Sequence, residues 1–87
     1  MQAYRIHNTV IAADIPDEAR DFFLDEIGGP LPADIIEVHY LTEIFCADGA
    51  VKTIKERINA ELDARNAWLN MGIPCELHHP FVVGIVK

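Results

Sequence analysis

Four histidines, two cysteines and a surplus of carboxylates are the groups in this 87-residue chain whose types suit chemistry. Histidine titrates nearest neutrality, so His7 and His39, with Glu37 close by in sequence, are the candidates for acid–base work without a cofactor. Nothing in their spacing demands catalysis. Arg5, His7, Thr9 and His39 are the candidate binding residues, because strand alternation brings them to the outer side of a sheet.

Cys75 and His78 are the residue types zinc prefers, and His79 follows directly. On a strand, however, His78 and His79 point to opposite faces, so both cannot readily hold one ion, and no metal is expected. The chain contains no serine, which excludes a serine nucleophile. It carries no phosphate loop, dinucleotide fingerprint, zincin pattern or calcium loop, so no cofactor is expected. Gly28-Gly29-Pro30 closes a helix where a phosphate cradle would open one.

The charge balance narrows the partners. Seven Lys and Arg stand against fourteen Asp and Glu, a net charge of −7. A nucleic-acid binder needs a basic footprint, and none is present. Residues 1–44 hold two bases and nine acids, whereas residues 45–87 hold five of each. The crowded acids from Asp14 to Glu26 form a solvated helix face or an electrostatic dock for a basic partner. No apolar run approaches the roughly 18–20 residues of a membrane span. Cys46 and Cys75 make no disulfide framework, which fits free thiols in a reducing cytoplasm. With 51% hydrophobic residues the chain is long and apolar enough for one small domain and no second.

The elements that must position these groups follow from periodicity. Ala3 to Ala13 alternates as a half-buried strand, with Asn8 as the one misfit in its apolar phase and a bulge expected near it. Asp14 to Ile27 reads as a helix that Asp14 can cap, with Pro16 in its first turn and Ala19, Phe22, Phe23 and Ile27 as its stripe. Ile35 to Cys46 is rich in β-branched and aromatic residues and fits one long strand, or two short ones if it bends at Thr42-Glu43. Ala50 to Met71 is the long amphipathic helix, and Cys75 to Val86 a final strand whose apolar run Phe81–Val86 suits a central position.

The order β-α-β-(β)-α-β predicts a two-layer α+β sandwich, ferredoxin-like if the middle segment splits. Right-handed crossovers then place both helices on one side. The opposite face would stay open, carrying Arg5, His7, Thr9 and Ile11 with Ile35, Glu37, His39, Leu41 and Phe45. A face so mixed on so small a domain invites a partner. The expected function is therefore protein interaction as a homodimer, the alternative being a small cofactor-free enzyme or ligand binder using the sheet-side histidines. Trp68, the only tryptophan, flanks the stripe of the long helix as a core edge or an interface anchor.

Two charges fall inside apolar stripes. At 100° per residue Glu26 lies between Phe22 and Phe23, and Arg65 between Ile54 and Ile58. A buried charge needs a partner. Arg65 therefore pairs with Glu26 across the helices, pairs with Glu61 one turn back, or carries its head out to water.

Overall fold

His7 decides the shape of the first half. In the computed structural model, which describes residues 1–32 and 34–87, its backbone is left-handed at φ 55°. The segment expected as one strand therefore folds back as a hairpin, β1 (Gln2–Ile6) and β2 (Thr9–Ala13), with His7 and Asn8 as its turn. Asn8, the misfit in the apolar alternation, marks this turn and accepts a hydrogen bond from the Val86 amide at 2.8 Å. The turn also shifts the side-chain phase. Ile6 pairs with Thr9, so Tyr4 and Ile6 share a face with Ile11 and Ala13, while Ala3 shares the other with Val10 and Ala12.

The remaining elements are α1 (Pro16–Phe22), β3 (Ile36–Val38), β4 (Glu43–Phe45), β5 (Val51–Thr53), α2 (Ile54–Asn70) and β6 (Phe81–Val86). The fold is mixed α+β, six strands in one antiparallel sheet with two helices. The middle segment is two short strands rather than one, and residues 51–53, expected as helix, pair with β4 as β5. Thr53 then starts α2 through a reciprocal capping box with Glu56, which satisfies first-turn amides without a proline. Beyond α1 the chain continues as one π-helical turn, Phe23–Ile27, closed by the Gly28 amide on the Phe23 carbonyl at 2.7 Å. No helix among the described residues is long and apolar enough to cross a membrane.

The sheet order β3-β1-β2-β6-β4-β5 contains a repetition invisible in the residues. Each half is a hairpin, a helix and a strand that returns beside the first strand of the hairpin, β3 on β1 and β6 on β4. This differs from the ferredoxin-like order, and the difference moves a helix. Both helices cross over their hairpin in the same direction along the sheet, but they leave strands that run oppositely. Right-handed crossovers therefore put them on opposite faces instead of one. One face buries Val10, Ala12, Ile44 and Val83 beneath Ile54 and Ile58 of α2. The other buries Tyr4, Ile6 and Ile11 beneath Ala19 and Phe23. The face expected to be open is thus closed over Ile11.

The helices cover unequal ground. α2, with 17 residues and about 25 Å, serves both halves. The short α1 covers only β1 and β2, leaving the α1 side of β6, β4 and β5 bare. β6 knits the halves together, and Gly84 lets it do so. A Cβ there would run into the Phe45 carbonyl oxygen and meet Ile44 Cδ1 at 2.7 Å. Gly84→Ala is expected to cost about 1–3 kcal/mol by overpacking. A wild-type urea midpoint for that variant would show that β4 has room to withdraw.

Candidate functional site

Arg65 is the one charged side chain in the core among the described residues, 7% exposed. The stripe of α2 turns it inward, and the chain answers with carbonyls rather than with a second helix. Its Nη1 donates to the backbone oxygens of Glu76 at 3.3 Å, Leu77 at 2.9 Å and His79 at 2.7 Å. Its Nε lies 3.4 Å from Glu61 Oε1, and its guanidinium stands 4.9 Å from the centre of the Phe81 ring. The Cys75 thiol donates back to the Arg65 carbonyl at 3.6 Å. One cation thus ties residues 75–79 to α2 and aims the chain into β6. Glu26 takes no part. The π turn advances less per residue than an α-helix, so it carries Glu26 out of the apolar phase into solvent. The carbonyl partners left no side-chain signal; the hint in the residues was a charge inside an apolar stripe, and residues 75–80, expected as the start of the last strand, form the loop that answers it.

The histidines do not converge. His7 sits on the β1–β2 turn, its Nε2 2.6 Å from the Pro30 carbonyl, and Arg5 Nε donates to the His7 carbonyl at 2.8 Å. His39 follows β3 beside the opposite end of β1, about 15 Å away at strand rise. Arg5 alternates onto the α2 face and Thr9 onto the α1 face, so the four expected binding residues form no common surface. Asp14 does not cap α1, where Ile15 holds the cap position. Its carboxylate oxygens instead lie 3.0 and 3.1 Å from His78 Nδ1. His79 turns to Glu76 at 3.4 Å and to the edge of Phe22. Cys75 therefore faces Arg65 while His78 faces Asp14, and no group of three or more potential ligands gathers among the described residues.

Glu37 and His39 do share a place, an open cleft of about 360 Å³ with Gln2, Val38 and Tyr40. His39 Nδ1 accepts from the Leu41 amide at 3.1 Å, which leaves the proton of a neutral ring on Nε2. Nearby, Tyr4 is buried, and its phenol is held above the ordinary value of 10.0. Burial is the main cause, with the charges of Glu37 and Asp14 and then Tyr40 adding to it.

A second cleft, about 240 Å³, lies between α1 and the entry to β6, lined by Glu18, Asp21, Asp25 and Glu26 with Phe22, His79 and Pro80. Beside it runs the bare half-face. Phe45 pairs with Val51 on one side and Ile85 on the other, and Val82 lies opposite Ile11, so their side chains share the α1 side of the sheet. They are 37%, 41%, 51% and 39% exposed respectively. Trp68, 43% exposed, stands apart in a cleft with Arg65, Cys75 and His79.

Comparison with known proteins finds no matching family, no matching curated relative and no matching solved structure.

Arg65→Ala is expected to cost about 3–5 kcal/mol, since it strands three carbonyls and Glu61 around a vacated core position. Glu61→Ala, at a quarter-exposed site, is expected to cost about 1 kcal/mol or less. Urea titrations of the two variants check the order, and equal losses would contradict it.

Tyr4 supplies a pH test. Below pH 10 it is neutral folded and unfolded alike. Above pH 10 the unfolded chain sheds the phenolic proton first and so binds fewer protons, and stability falls as pH rises towards the raised folded value. Tyr4→Phe is expected to flatten that fall between urea midpoints at pH 9 and pH 11, and an unchanged slope would contradict it.

Proposed function

We propose that this protein is a cytoplasmic interaction module that works as a homodimer. The observation that carries this reading is the uncovered half of the sheet, where Phe45, Val51, Val82 and Ile85 on three adjacent strands form an outward apolar patch, with Glu43 and Thr53 at its end. A domain this small buries only about 60% of its unfolded surface, so covering such a face contributes a large share of its stability. Solvated sheet faces normally alternate to polar residues, and contiguous apolar ones mark interaction sites. The scattered placement of His7, His39 and His78 supports a binding role over catalysis. The net charge of −7 argues against a nucleic-acid partner.

A second reading, a small-ligand binder, rests on one observation, the cleft shared by Glu37 and His39. It presents one acceptor and one donor but no buried polar anchor. Shifts of the His39 ring resonances on adding a metabolite extract, lost in His39→Gln, would favour it.

Light scattering at micromolar concentration is expected to return about twice the chain mass of 9.7 kDa. A monomer throughout that range would overturn the homodimer.

A further inference from the structure

We infer that the occupant of the bare half-face is a second copy of this chain, stacked sheet to sheet about a two-fold axis parallel to the strands, with the β5 edge of each copy lying against α1 of the other. This rests on the homodimer reading and specifies its surface.

The shape of the α1 side of the sheet carries the argument. α1 occupies one half of that side and, among the described residues, no element covers the other, so the sheet presents a step. A helix layer is about 10 Å thick and stacked sheets lie about 10 Å apart, so a second bare half-sheet fills the step level with α1. Only one symmetric orientation fits. An in-plane axis perpendicular to the strands would lay β6 over β6 and drive the two α1 helices together. An axis along the strands, near β4, reverses the order, so β5 of one copy covers β6 of the other and its free edge meets α1. Phe45 then lies near its own symmetry mate, and Val51 faces Ile85 of the other copy. The contact is self-complementary, as a two-fold interface must be.

Charge agrees with this arrangement. The chain carries −7, but the acidic excess belongs to residues 1–44, and the one acidic or basic side chain among those facing outward from β4, β5 and β6 on this side is Glu43, 3.6 Å from Lys87. Two copies can meet here without opposing their acidic surfaces. At the step the cleft beside α1 offers Asp21 and Asp25. The β5 edge that would lie against it carries exposed Lys52 and, one residue into α2, exposed Lys55. The acidic half of one copy thus meets the cationic edge of the other. A stable dimer needs about 800 Å² from each partner, more than four side chains supply, so the contact between α1 and β5 is part of the interface. It also covers β5, an edge otherwise open to pairing with other chains.

The experiment measures dimer dissociation by sedimentation for the wild type, Ile85→Glu, Asp21→Lys, Asp21→Lys with Lys52→Asp, and Met71→Glu, a control exposed at the far end of α2. Ile85→Glu and Asp21→Lys are expected to weaken the dimer by about tenfold or more, the double swap to regain most of the loss, and Met71→Glu to match wild type. Regain in the double swap also shows that the charge-reversed chain folds. A monomeric wild type would defeat the homodimer reading itself. A dimeric wild type with unaffected Ile85→Glu and Asp21→Lys variants would leave that reading standing and overturn the half-face.

Discussion

The structure depends on a buried guanidinium satisfied by backbone. β6 is the strand that joins the two halves, paired with β2 on one side and β4 on the other. It reaches that position through residues 71–80, a stretch without helix or strand. Arg65 converts that stretch into a fixed path by holding three of its carbonyls, while the Phe81 ring lies under the same cation. Burying a charge is costly in isolation; here hydrogen bonds to oxygens that would otherwise need water offset the cost. The arginine fork suits this task because it presents several donors from one rigid plane.

How much of this was legible in the residues follows from what each signal measures. Periodicity reports which residues share a face while the backbone keeps one conformation. It therefore located α2, placed Arg65 in the buried stripe and marked Phe81–Val86 as an inner strand. It failed wherever the conformation changed within a segment. The His7-Asn8 turn reversed the first strand and swapped the face of everything after it, although neither residue is a glycine and Asn8 was the only irregularity. The π turn carried Glu26 from the stripe into solvent by the same kind of phase error. Strand β5 was lost because its three residues precede the helix without a break.

The candidate site was less legible than the fold, because it is defined by what the elements fail to cover. The unbroken apolar run of the final strand implied apolar side chains on both of its faces, but which half of the sheet stays bare depends on the lengths of α1 and α2 and on the strand order that puts them on opposite sides. Neither follows from a local pattern. The chemistry-bearing residues misled for a simpler reason. His78 and Asp14 are 64 positions apart and meet only because β2 and β6 are neighbours, while His7 and His39 sit at opposite ends of β1.

The pairing of β2 with β6 has a consequence for how the molecule comes to be folded. β2 spans residues 9–13 and its partner residues 81–86, with almost every other element between them in sequence. At synthesis rates of about 5–20 residues per second, several seconds separate the appearance of the two strands. The residues of the β1–β2 hairpin and α1 are all made before that interval ends, while the strand that pairs with β2 and the helix that covers the hairpin's other side are still to come. Contacts this remote in sequence also slow the search that closes the sheet. Until β6 emerges, any pairing of β1 with β2 leaves one edge of β2 open, an exposure that the finished structure does not display.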